Sequence, residues 1–214
     1  MRKSRCANTF LEISPRLDPP VRTRALSLSQ TAVPAPISLE KVDAWLLGII
    51  TREHSVRMRR EVVDWVGHSA RRFAQLVALV LHGSRQQAQR ASYPMTFAVE
   101  AVPALGGPHV PELLRNLQRA DLHGGVIRNT MRLLRFVKLN AANEGAIFAT
   151  AFAALNAPVE IAVKADAISV LARLVRRFPE LYPEVEAAIR EALPGTTTAF
   201  RSRARTEFKI MSGE

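Results

Sequence analysis

The amino-acid sequence predicts an all-α protein, an α–α superhelix of about five helix pairs. Three observations predict it. Apolar residues recur with the 3.6-residue helical period, and no stretch shows the two-residue alternation of a strand. Proline and glycine punctuate the periodic stretches at short intervals. The stretch from Pro158 to Phe178 carries two apolar rows: Val163, Ala167, Val170, Leu171, Leu174, Phe178, and Ile161, Ala165, Ile168, Ala172, Val175. A helix with two apolar faces needs neighbours on both sides, so this one belongs in the middle of a stack.

The elements follow in order. Residues 1–37 read as a separate, disordered basic extension. Pro15, Pro19, Pro20, Pro34 and Pro36 punctuate it, and Arg2, Lys3, Arg5, Arg16, Arg22 and Arg24 face only Glu12 and Asp18. The helical domain takes residues 38–214. Ser38 caps its first helix, whose apolar face is Leu39, Val42, Trp45, Leu46, Ile49 and Ile50. A second helix starts near Ser55 and ends at Gly67, as helices commonly do at glycine. The next pair is Arg71 to Leu81 and Gln86 to Ala101, with Pro94 expected to kink or divide the latter. Gly106-Gly107-Pro108 is a firm break. Pro111 opens a short helix, and Gly124-Gly125 separates it, as a turn, from Val126 to Leu139. Ala141 to Leu155 precedes the central helix, which Pro158 opens and Pro179 ends. Leu181 to Ala192 is next, closed by Pro194-Gly195, and Thr198 to Met211 is a final basic helix.

Composition bounds the function. The 214 residues suffice for one sizeable core. The single cysteine, Cys6, allows no internal disulfide, which favours a reducing compartment. No apolar run reaches the length of a membrane span, and no apolar segment follows the basic N-terminus as in a secretory signal. These points give an expectation of a cytoplasmic protein with no membrane contact. The net charge of +11 permits acidic partners such as nucleic acid.

A basic residue near the start of each second helix marks a repeat: Arg59, Arg90, Arg128, Lys164 and Arg203. These marks are 31 to 39 residues apart, and core-compatible Val62, Tyr93, Met131 and Ala167 follow the first four by three residues. The stretch from Val126 to Phe208 resembles a family of small bacterial HEAT-like repeat proteins. The resemblance concentrates in VIRNTMRLLRFV, in APVEIAVKADAISVLARLVRRFPEL and in ALPGTTTAFRSRAR. It implies a HEAT/armadillo-like solenoid, with weaker motifs upstream from about Ser38, and carries over no catalytic residues. Related chains are sometimes labelled adenylosuccinate lyase. That enzyme's S-S-x-M-P-x-K-x-N loop is absent, and the chain is too short for its long helical bundle.

No chemistry-bearing motif emerges. His54, His68, His82, His109 and His123 have no i, i+4 pair and no cysteine to support a metal site. There is no G-x-S-x-G elbow, and the glycine pairs lack phosphate-cradling spacings. Trp45 and Trp65 fit apolar helical faces and are expected in the core. We therefore expect no catalytic residues, no cofactor and no metal, hence no enzyme. One constellation stands out. Arg128, Arg132 and Arg135 lie at i, i+4, i+7; Lys164, Arg173, Arg176 and Arg177 lie on the next second helix, and Arg201, Arg203 and Arg205 on the last. Second helices of an α-solenoid line one binding face. These cations form a shared anion- or partner-binding face, or they are solvated, with Asp166 and Glu207 pairing some of them. The expected function is a protein-interaction scaffold with an unspecified protein partner. The alternative is a nucleic-acid-binding repeat protein using this Arg-rich face. A basic solenoid glycosylase is a third reading, but it needs a pocket of aromatics and a carboxylate that the sequence alone does not assemble.

Overall fold

The computed structural model describes residues 38–213, so the extension over residues 1–37 and Cys6 lie outside the described residues. Every described element is helical, and among the described residues there is no strand. Ten α-helices follow one another: α1 (Ala44–Arg52), α2 (Val56–Val66), α3 (Ala70–His82), α4 (Arg85–Ala101), α5 (Val110–Asn116), α6 (Gly124–Leu134), α7 (Glu144–Asn156), α8 (Ile161–Val175), α9 (Tyr182–Ala192) and α10 (Thr198–Ser212). Along one row α2, α4, α6, α8 and α10 are successive neighbours, and along a second row α3, α5, α7 and α9 are. The core lies between the rows. Each of the five basic marks of the sequence falls on a helix of the first row.

Local chemistry sets most boundaries. Ser55 accepts from the Met58 backbone N–H at 2.9 Å, and Gly67, with φ +48°, ends α2 in a conformation open to glycine. Thr197 accepts from Phe200 N–H to start α10. Ser84 and Gln87 form a reciprocal capping box on α4. The central helix α8 buries Val163, Ala167, Ile168, Val170, Leu171, Ala172, Leu174 and Val175. It touches α6 and α10 on its own row and α7 and α9 across the core, which is what its two apolar faces require. It is shorter than Pro158 to Phe178: Glu160 is its N-cap, so Pro158 precedes the helix.

Other boundaries differ from the sequence reading for physical reasons. Ser38 caps only a 3₁₀ turn over Leu39–Lys41; Val42 is extended, and Asp43 caps α1 by accepting from Trp45 N–H at 2.9 Å. Trp45 is 43% exposed, not core, and lies 5.5 Å from the Trp65 ring. Pro94 sits buried inside an undivided α4, where the hydroxyls of Ser92 and Thr96 donate to the carbonyls of Gln89 and Ser92. Gly124 and Gly125 form the first turn of α6, not a separator. His123 caps it, its Nδ1 accepting from Gly125 N–H at 3.0 Å, and a Cβ on Gly125 would lie 3.1 Å from that nitrogen.

Arginine closes several helix ends. Arg90 of α4 donates to Ile50 and Thr51 carbonyls at the end of α1. Arg72 of α3 donates to Trp65 O at 2.8 Å, and Arg119 to Leu81 O at 3.3 Å. Arg173 of α8 donates to Leu134 O at 3.0 Å, Val137 O at 2.9 Å and Arg135 O. The last carbonyls of a helix have no partner within it, and a cation there also meets the negative end of the helix dipole. Part of the arginine content is thus spent on the scaffold.

Candidate functional site

The first-row helices carry a pocket of about 360 Å³. Gln89 and Tyr93 of α4 form one wall; Gly125, Arg128, Asn129 and Arg132 of α6 form the middle; Ala162 and Asp166 of α8 form the other wall, and His54 closes one end. The spacing along α6 explains the middle. Positions 125, 128, 129 and 132 share one helical face, while Val126, Ile127, Met131, Leu133 and Leu134 are buried. Gly125 keeps that face open at the helix start.

The electrostatics are graded. Arg128 pairs with Glu160 at 3.4 Å, both side chains about half exposed. Arg132 pairs with Glu100 at 3.3 Å and lies 4.7 Å from the centre of the Phe97 ring. Its Nε–H is shut off from solvent and has no hydrogen-bond partner among the described residues. Deeper, Arg135 pairs with Asp166 at 2.7 Å, and the Asp166 side chain is only 14% exposed. Burial raises the Asp166 carboxyl above its ordinary pKa, against the opposing pull of Arg135. His54 is lowered, first by burial and then by Arg90, Arg128 and His123. Burial and the neighbouring cations thus both disfavour the charged form of His54. Two rings of α4 continue from it: His54 lies 5.3 Å from Tyr93, and Tyr93 packs edge-on against Phe97 at 5.4 Å.

The ten sequence-selected cations divide. Arg128 and Arg132 line the pocket, and Arg135 acts on it through Asp166. Lys164 is half-buried on α8. Arg173 is committed to the carbonyls at the end of α6, and burial lowers its pKa. Arg177 turns to the second row, 3.0 Å from Glu144 of α7, an ion pair without hydrogen-bond alignment. Arg203 donates to Ser169 at 3.2 Å and lies 3.6 Å from Glu207. Arg176, Arg201 and Arg205 are exposed. The pairings with Asp166 and Glu207 are those the sequence allowed. His54, Gln89, Tyr93 and Asn129 were missed as pocket residues. Tyr93 was read only as a core-compatible position three residues after a repeat mark, and it lines the pocket.

No family model, curated protein or solved structure matches the chain. The site is therefore read from its own geometry. Among the described residues no group of three or more His, Cys, Asp or Glu could hold a metal ion, and no helix is long and apolar enough to cross a membrane.

Proposed function

We propose that the chain is a HEAT-like α-solenoid that serves as a non-catalytic protein-interaction scaffold, binding its partner on the α2, α4, α6, α8, α10 face. One observation carries the reading: the pocket draws its walls from three successive helices of one row, the way stacked repeats build an extended binding surface. The recurrence of basic marks on that row supports the repeat assignment. The face suits an acidic protein segment. Arg128 and Arg132 are held by Glu160 and Glu100 in half-exposed pairs at 3.4 and 3.3 Å, which an incoming carboxylate replaces at little cost. A cytoplasmic setting fits the single cysteine. The test is a pull-down from lysate with the wild type and with Arg128→Glu/Arg132→Glu, each with and without nuclease. Capture of a protein that survives nuclease and is lost on charge reversal is expected. Capture indifferent to charge reversal refutes the reading.

A second reading, nucleic-acid binding, is favoured by the alternation of cations and rings: Arg59 and Arg132 lie 4.1 and 4.7 Å from the centre of the Phe97 ring. It requires binding to a DNA duplex that weakens with salt by about 0.9 in logarithmic slope per phosphate neutralised. Arg132→Glu should lower that slope. A slope unchanged by the substitution eliminates this reading.

A further inference from the structure

We propose that the pocket between α4, α6 and α8 is a binding site for a nucleoside monophosphate unit. This goes beyond the scaffold reading and does not depend on it. Arg128 and Arg132 stand one turn apart on the pocket side of α6. Their present carboxylate partners, Glu160 and Glu100, hold them in partly exposed pairs at 3.4 and 3.3 Å, and the Arg132 Nε–H has no partner among the described residues. A phosphate supplies several oxygens to guanidinium forks, and the Arg132 side chain is 36% exposed although its Nε–H is shut off from solvent.

The rest of the pocket suits what a nucleotide carries beyond its phosphate. Tyr93 lines the pocket and offers one aromatic surface to a heterocycle, with His54 and Phe97 beside it at 50° and 86° to its ring and the Arg59 guanidinium 5.6 Å from its centre. Asn129 donates through Nδ2 to Ser92 at 2.9 Å, which leaves its Oδ1 to accept from a base edge. Asp166 uses Oδ1 on Arg135 and keeps Oδ2 as an acceptor for a sugar hydroxyl, the use a carboxylate finds against ribose in dinucleotide sites. A bare phosphate would leave the aromatic surface unused. The volume of about 360 Å³ sits at the low end of small-ligand sites, about 300–1,000 Å³. That volume suits a single mononucleotide.

Isothermal titration of the full chain with AMP, UMP, adenosine, inorganic phosphate and a short single-stranded oligonucleotide tests this. A mononucleotide should bind at least about tenfold tighter than adenosine or phosphate alone, since two arginine forks and an aromatic surface act together. Arg128→Ala/Arg132→Ala should weaken it by a similar factor, and Tyr93→Ala by several-fold, with Tyr93→Phe close to wild type. The ligand comparison uses the wild type alone, so it stands even where a variant loses its fold. Oligonucleotide binding that is tighter than, and displaced by, AMP assigns the pocket to one residue of a strand; weaker binding assigns it to the free nucleotide. Both uphold the proposal. Inorganic phosphate binding as tightly as AMP overturns it, as does absence of binding by AMP and UMP. A glutamate-rich peptide that binds more tightly than AMP and is lost in the double variant overturns it while leaving the scaffold reading intact.

Discussion

Arg173→Met should destabilise the protein without touching the pocket. The guanidinium of Arg173 serves three carbonyls at the end of α6: Leu134, Arg135 and Val137. Methionine keeps much of the apolar stem, so packing is largely preserved and the charge-assisted bonds are removed. A hydrogen bond to a charged group contributes about 1.5–3 kcal/mol, and an orphaned buried carbonyl costs about 1–3 kcal/mol. Three bonds to one guanidinium are not additive, and burying the cation has its own desolvation cost, whose sign shows in the lowered Arg173 pKa. The balance is a loss of about 2–4 kcal/mol. Lysine offers one ammonium in place of a planar fork and should recover only part. Urea denaturation followed by far-ultraviolet circular dichroism should show a lower midpoint with unchanged slope. Arg176→Met, at an exposed neighbouring position, should stay within about 0.5 kcal/mol of wild type. A loss below about 0.5 kcal/mol for Arg173→Met, or a loss of AMP or duplex binding in its place, refutes the capping role.

Leu171→Ala should cost about 2–5 kcal/mol, because Leu171 is fully buried at the centre of α8 and neighbours on both rows limit collapse into the space; an unchanged melting temperature contradicts the placement. His109, buried and 5.5 Å from the Phe73 ring, has its pKa lowered by burial against the weaker opposing pull of Glu112. Its folded pKa lies below the unfolded one, so its contribution is present above about pH 6.5 and is lost as pH falls. Relative to His109→Phe, the wild type should lose up to about 1.4 kcal/mol per pH unit below pH 6.5; parallel stability curves for the two proteins contradict this.

The sequence made the helices legible wherever the signal was local. Ser55 with Gly67, the Pro194-Gly195 break before Thr198, and the two rows of the central helix located α2, α10 and the core of α8 closely, because breaks, caps and period act within a few residues. Arg128 and Arg132 were legible as a stripe, since i, i+4 spacing alone puts them on one face. What remained hidden depends on residues one helix pair away. Asp166 meets Arg135 across 31 positions, Asn129 meets Ser92 across 37, and Arg173 reaches Leu134 across 39. No spacing rule announces that Arg173 is used up on carbonyls while Arg132 keeps a free N–H. Trp45 misled because an apolar helical phase does not reveal where the stack ends, and α1 lies at one end of the described chain. Pro94 does not divide α4, although it has no N–H for the Arg90 carbonyl one turn back, and nothing local in the sequence shows that the helix runs on through it.

The inter-helix side-chain bonds have a consequence for synthesis. Arg90 reaches back 40 residues to Ile50, Thr96 forward 33 to Asn129, and Ser169 forward 38 to Glu207. Each joins neighbouring helix pairs, and none of these waits for a distant end of the chain. A nascent chain can therefore complete the bonds of one pair as soon as the next has left the ribosome, so its assembly keeps pace with translation. By the same logic a stalled product ending after α8 would have its earlier pairs assembled and lack the Arg203 and Glu207 partners of Ser169 and the packing of α9 and α10 on α8. Such a product would display a folded surface on a shortened protein.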